Sequence, residues 1–511
     1  MRLTRGSALL PGIRISALVA LLSLSLGASP AGGRADAAPL AETYRSAAAR
    51  LLGEALLSDH AYENLAVLCD RVGHRLSGSA QLDSAIAWAM ETMRRDGLSN
   101  VRAESVMVPV WVRGGESAEV LEPARHALTI LGLGGSVGTP PEGITAEVVV
   151  VGGFDELDSL GATGVAGKIV LYDVPYAGYG ETVRYRSAGA SRAARHGAVA
   201  AFVRSVGPIS YDTPHTGSLS YNDSLPKIPA AAVTIENATM MRRMARRGET
   251  IRARLVMGAR TLPDAPSANV VGEVVGSERP EEIVVVGGHL DSWDVGQGAQ
   301  DDGVGCVLAM EAARLIRSLD LRPRRTIRVV LFTNEENGLR GGKGYRDAHG
   351  EELANHVAAL ETDSGNGPVL GFRLDVRAVV QATKKKGGTF VASAQDSARA
   401  RAAAAADSAR ALALLEEIAP LLEPLGAMSM KAGGSGADVG PSVAEGVAGI
   451  GAEHDTEHYF DIHHTNADTF EKVDAETLAR NVAALAVLTY VLADMPERLR
   501  EPIPARASRA E

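Results

Sequence analysis

From residue 268 onward, short apolar runs alternate with helical stretches, and this alternation restricts the fold more than any other feature of the chain. Residues 283–286 read as a buried strand and 303–316 as a helix, with Val304, Val307, Leu308, Ala312, Leu315 and Ile316 on one side. Strands follow at 326–332 and 357–360, and 476–492 makes a closing helix. Strands alternating with helices give an α/β fold, here a mixed, largely parallel sheet flanked by helices. In such sheets ligands bind outside the carboxyl ends of the strands, so those ends are where chemistry is expected.

Upstream, 61–73 and 82–97 read as amphipathic helices, the second with Ile86, Met90 and Met93 at helical spacing, and 106–112 as strand. Residues 128–260 have a different texture. Short strands at 147–151, 168–172, 199–203 and 230–235 are separated by Gly and Pro turns, with a helix at 191–196. Its histidines, His196 and His215, have no partner at metal-ligand spacing and read as structural or exposed. The expected organisation is a leader at 1–37, one catalytic domain from 38–127 and 261–496, a small α/β domain inserted at 128–260, and a tail at 497–511. The Ala-rich run at 398–415 favours an exposed helix.

The leader combines Arg2, Arg5 and Arg14, twelve largely apolar residues at 15–26, and Ala35-Asp36-Ala37. That is the layout of a secretory signal peptide, too short to span a bilayer, and it implies a secreted or periplasmic protein without stable membrane insertion. A retained membrane anchor is the alternative. The net charge of −10 argues against a nucleic-acid partner, because phosphate binding needs clustered Lys and Arg. Cys69 and Cys306 read as small buried hydrophobes, although an oxidising compartment permits a disulfide.

Five motifs carry candidate chemistry, three of them just past strand ends and one at the start of the helix at 303–316. Gly287-Gly288-His289-Leu290-Asp291-Ser292 offers an imidazole ligand, with Asp291 able to accept the hydrogen bond from its other nitrogen. Gly298-Ala299-Gln300-Asp301-Asp302-Gly303 could ligate, or could simply complement a helix dipole. Asn334-Glu335-Glu336-Asn337-Gly338 pairs two carboxylates that repel unless a cation or proton intervenes. One can ligate metal while its neighbour acts as general base. Leu360-Glu361-Thr362-Asp363-Ser364-Gly365 is weak alone, and in His463-His464-Thr465-Asn466-Ala467-Asp468-Thr469 one imidazole can ligate with support from Asp468.

In the order His, Asp, Glu-Glu, Asp, His, these motifs resemble the co-catalytic di-zinc exopeptidases, the family of secreted aminopeptidases and glutamate carboxypeptidase. The branch most similar is that of carboxypeptidase Q and its bacterial relatives, on Ala61-Tyr62-Glu63-Asn64-Leu65, Arg75-Leu76-Ser77-Gly78-Ser79 and His289-Leu290-Asp291-Ser292-Trp293-Asp294-Val295-Gly296. Val165-Ala166-Gly167-Lys168-Ile169-Val170 likewise resembles a protease-associated domain. The resemblance implies two zinc ions per subunit, with manganese or cobalt able to fill the same cage. Asp301 would bridge them, Glu336 and His464 completing one shell, His289 and Asp363 the other. It chooses His464 over His463, makes Glu335 the general base for a metal-activated water, and puts Asp291 beside His289. It also implies dipeptide or short-peptide substrates and a homodimer. Trimming of longer peptides from the amino end is an alternative, and so are a single-zinc cyclase and a non-catalytic receptor on the same scaffold. Gly434, Ser435 and Asp438 of the Gly-rich loop, with Tyr459, are candidate substrate contacts; a plain turn is the other reading of that loop.

Overall fold

Eight strands form the sheet that the alternating pattern implies. In spatial order they are Ser99–Val112, Arg260–Val274, Arg325–Phe332, Arg279–His289, His356–Glu361, Gly449–His454, Val369–Asp375 and Ser429–Ala432. The computed structural model describes residues 39–379, 383–384, 390–391 and 394–502, so the expected leader and most of the expected tail lie outside it. The four central strands run parallel, and antiparallel partners flank them. Arg325–Phe332 and His356–Glu361 are buried at every position, as strands covered on both faces must be.

Helix Val304–Ser318 covers one face, packed against helices Leu40–Leu57, His60–Arg71 and Ala475–Asp494. Ala475–Asp494 starts at Asp474, whose carboxylate accepts the Thr477 N–H at 2.8 Å. It is long and apolar enough to cross a membrane, yet 72% of its apolar window is buried inside the protein, which marks it as a core helix. Helix Leu40–Leu57 was not expected; it buries Leu40, Tyr44, Ala48, Leu51 and Ala55 at helical spacing. The Ala-rich helix, Ala394–Ile418, is longer than expected. It is not wholly exposed, since Ala404, Ala411, Leu415 and Ile418 are buried. Cys69 and Cys306 are free and buried in the main core.

Between Val112 and Arg260, which pair across the outer ribbon of the first sheet, the chain builds a second eight-stranded sheet. Ile144–Val151, Ile169–Tyr172, Ala200–Arg204 and Ala230–Val233 run parallel at its centre. Glu116–Glu122 and His126–Leu128 join it from upstream of residue 128. Two expectations shift in length: the helix placed at 191–196 runs over Tyr179–Arg195, and the strand placed at 230–235 stops at Val233. Thr234 stops it, because its hydroxyl caps the next helix by accepting the Asn237 N–H. Trp293 and Val295, from the loop after His289, sit in the core of this second sheet with Trp111, Leu131 and Met257. Gly134 makes room for them; a Cβ there would lie 2.0 Å from the Trp293 ring.

Candidate metal centre

The first sheet delivers its chemistry at the carboxyl ends of three adjacent parallel strands. His289 is the last residue of its strand, Glu335 and Glu336 sit in the turn after Arg325–Phe332, and Asp363 follows His356–Glu361. Asp301 comes from the short segment Ala299–Gly303, and its peptide bond to Asp302 is cis. His464 follows the short helix Tyr459–Ile462 and has φ 58°.

These side chains converge around Asp301. Its Oδ1 lies 3.2 Å from His289 Nε2, and its Oδ2 lies 3.1 Å from His464 Nε2. His289 Nε2 is also 3.7 Å from Asp363 Oδ1, and His464 Nε2 is 3.1 Å from Glu336 Oε2. Asp301 therefore faces His289 and His464 with different oxygens, each of these imidazoles with a second carboxylate beside it, and His463 Nε2 also lies 3.3 Å from Oδ2. Asp302 is also close to His289 and Asp363. Its oxygens, however, accept the backbone N–H groups of His289 and Gly305, each at 3.0 Å, which ties the strand to the helix behind it.

The donor set fits a cation. His289, Asp301, Glu336 and His464 are all at most 9% exposed, and Glu336 Oε1 is buried without a hydrogen-bond partner. Burial disfavours charge on each group. It pushes the Glu336 carboxyl up to about 7, with the Asp301 charge adding to the effect. For His289 burial acts downward, but the Asp301 and Asp363 carboxylates outweigh it and hold the ring above its ordinary range. Carboxylates packed this closely with imidazoles, with buried oxygens that lack hydrogen-bond donors, make a nitrogen and oxygen donor set suited to a divalent metal.

The supporting contacts differ from the sequence reading at three places. The His289 Nδ1–H bond goes to the backbone carbonyl of Asp291 at 2.9 Å, while the Asp291 carboxylate lies 3.9 Å from that nitrogen. That carboxylate instead accepts the N–H groups of Glu335 at 2.9 Å and Glu336 at 3.3 Å, fixing the turn that carries both acids. Asp468 does not touch the imidazole; it accepts the N–H groups of Gln300 at 2.8 Å and Asp301 at 3.2 Å. Third, His215 is not a bystander: it is 2% exposed, and its Nε2 lies 3.1 Å from His463 Nδ1. A sequence separation of 248 hides that pairing from any reading of local spacing.

Arg75, quoted above only as part of a motif, is fully buried and gathers the loop after His289. It donates to the carbonyls of Leu290 at 2.5 Å, Gln297 at 2.7 Å and Gly298 at 2.8 Å. Ser77, two residues on, lies between Asp291 and Asn334, 3.4 Å from the first and 2.9 Å from the second.

Among the candidate substrate contacts, Asp438 is 1% exposed and neither carboxylate oxygen has a hydrogen-bond partner. The neighbouring Glu361 carboxylate accepts the N–H groups of Ala437, Asp438 and Val439 and so holds the loop. Ser435 is fully buried and its hydroxyl points to Asp375 at 3.4 Å, whereas Gly434 has open space where a Cβ would stand. Tyr459 is buried, and burial together with the Asp301 and Asp363 charges keeps its hydroxyl protonated.

Residues 269–489 match the model of peptidase family M28. Carboxypeptidase Q of Mus musculus is 43% identical over 441 residues, 86% of this chain and 87% of the relative; that of Homo sapiens is 44% identical over the same shares. The crystal structure of a peptidase M28 precursor from Shewanella amazonensis SB2B is 34% identical, with TM-score 0.80 over 91% of this chain and 99% of that one. BSAP, a zinc aminopeptidase from Bacillus subtilis, shares the fold at 21% identity and TM-score 0.61, over 88% of this chain and 98% of its own. The chain belongs to peptidase family M28. Within that family it is a carboxypeptidase Q-like metallo-exopeptidase.

Proposed function

We propose that this chain is a di-zinc exopeptidase acting on dipeptides or short peptides outside the cytoplasm, with Glu335 as general base. The observation that carries the metal count is Asp301, whose two oxygens face His289 and His464 separately. His289 and Asp363 would complete one shell, and Glu336 and His464 the other. Bound there, the metals would polarise the scissile carbonyl and ease deprotonation of water.

Glu335 is half-buried, and burial with the nearby Asp363 and Glu336 charges pushes its carboxyl well above the usual range. Such a group accepts a proton from the attacking water and returns it to the leaving nitrogen. The Asp291 carboxylate supports this by pinning the Glu335 backbone. Asp438, buried and without a donor, is suited to a substrate's free ammonium group. Residues 1–37 would act as the secretion signal, and 128–260 as an inserted protease-associated domain that brings His215 up to His463.

The test is hydrolysis of free dipeptides, N-blocked dipeptides and longer peptides by zinc-loaded wild type and Glu335→Gln. Cleavage of free dipeptides alone, lost in the variant, supports the proposal. Stepwise release from the amino end of longer peptides would replace it with an aminopeptidase. Equal rates in the two proteins would remove Glu335 from the mechanism.

A further inference from the structure

The cage leaves two buried imidazoles unexplained. His463 is 7% exposed, stacks on His464 with ring centroids 3.7 Å apart, and places its Nε2 3.3 Å from Asp301 Oδ2. Behind it stands His215, brought in by the second sheet's segment, with Nε2 3.1 Å from His463 Nδ1. Tyr179 meets the His463 ring edge-on at 90°. Among the described residues no carboxylate lies within ion-pair reach of His215, and its Nδ1 has no partner.

A neutral imidazole carries one N–H and one lone pair, so the contact between the two rings holds a single hydrogen and can run in either direction. If His463 donates, its Nε2 lone pair faces the Asp301 carboxylate, and His215 Nδ1 becomes a buried N–H without an acceptor. If His215 donates, its Nδ1 is only an unfilled acceptor, and His463 Nε2 carries a hydrogen directed at the site. Buried orphan N–H groups are the rarer and costlier defect, so the second arrangement wins.

We propose that His463 is a catalytic residue whose Nε2–H donates to the substrate carbonyl oxygen as negative charge gathers on it, and that His215 is the positioning residue that fixes this tautomer. The inference rests on the peptidase reading above. With the Asp301 oxygens committed to the cage, the His463 hydrogen is available to a ligand seated beside it. A preorganised donor of this kind acts chiefly on kcat, by about 10²–10³-fold. It also gives the second sheet's segment, between Val112 and Arg260, a part in the chemistry.

The experiment measures dipeptide hydrolysis and metal content for zinc-loaded wild type, Glu335→Gln, His463→Phe, His463→Gln, His215→Phe and His215→Gln. Imidazole 15N–1H correlation spectra are recorded on the metal-free wild type and on metal-free His215→Phe. The expected result is a fall of about 10²-fold in kcat for His463→Phe, with KM within about threefold and metal content unchanged. His463→Gln, which keeps an N–H, recovers part of the loss. His215→Phe falls about tenfold and redistributes the His463 tautomer, and His215→Gln, whose amide can donate to Nδ1, restores both. Unchanged kcat in His463→Phe overturns the proposal. So does loss of metal in step with activity, which would make His463 a ligand. A wild-type spectrum showing His463 Nε2 without hydrogen also overturns it, and that reading needs no variant to fold. If Glu335→Gln is as active as wild type, the peptidase reading itself fails, so the two failures are distinguishable.

Discussion

At the scale of residues, the site separates groups that would touch metal or substrate from groups that hold them in place. Glu335→Gln removes a proton acceptor while leaving the donor set intact, so kcat/KM should fall about 10²–10⁴-fold with metal content preserved in elemental analysis. Asp468→Ala should act differently. It strips the acceptor from the N–H groups of Gln300 and Asp301, loosening the segment that aims Asp301. Zinc affinity in a competition titration should weaken about 10–100-fold, as for other groups that orient a ligand. The motifs of His289, Glu335-Glu336 and Asp363 stand out in the sequence because each falls at a strand end, where fold class alone predicts chemistry. Asp301, in a short segment, and His464, after a short helix, are marked as candidates mainly by the family resemblance. The supporting bonds were not legible. That Asp291 serves the Glu335 turn, and that Asp468 serves the Asp301 backbone, depends on backbone directions that side-chain type does not reveal.

At the scale of elements, two contacts carry much of the geometry around the centre. Arg75→Lys keeps the charge but loses the fork that serves four carbonyls at once, three of them in the loop after His289. Each carbonyl left buried and unfilled costs about 1–3 kcal/mol, so chemical denaturation should show a loss of at least that size, with the loop after His289 loosened. His60 begins the helix His60–Arg71 and lies 2.8 Å from Glu311 and 3.3 Å from Asp96, which joins three helices. Hydrogen bonds to Asp96 and Glu311 raise its pKa to about 9. A folded-state pKa above the unfolded value of about 6.5 gives a stabilisation fully present below that pH and lost as pH rises through about 9. The thermal midpoint gap between wild type and His60→Gln should therefore be widest near pH 6 and close towards pH 10. Long periodic elements were readable from sequence, Val304–Ser318 above all. Leu40–Leu57 escaped because its buried face is partly alanine, so apolar and polar sides contrast weakly. Ile235–Arg246 escaped because the apolar strand before it runs straight into its cap at Thr234.

At the scale of the whole molecule, two sheets are joined where Val112 and Arg260 pair, and the loop carrying Trp293 plugs the core of the second. That pairing spans 148 residues of sequence, and no local pattern announces it. A still longer separation, 248 residues, hides the His215–His463 contact, through which the second sheet's segment reaches the candidate metal centre. Buried carboxylates gathered without a cation oppose folding, so a chelator should lower the thermal midpoint and added zinc should restore it. Saturation at 100 times the dissociation constant is worth about 2.7 kcal/mol per site.

The central claim is that Asp301 links two metal sites through its two oxygens. The most direct measurement is zinc content per chain, by elemental analysis after dialysis, for wild type and Asp301→Asn. The expected result is two ions per wild-type chain and loss of both in the variant, whose circular dichroism stays that of a folded protein. One ion per wild-type chain, or a variant that loses only one of two, would contradict a bridging Asp301.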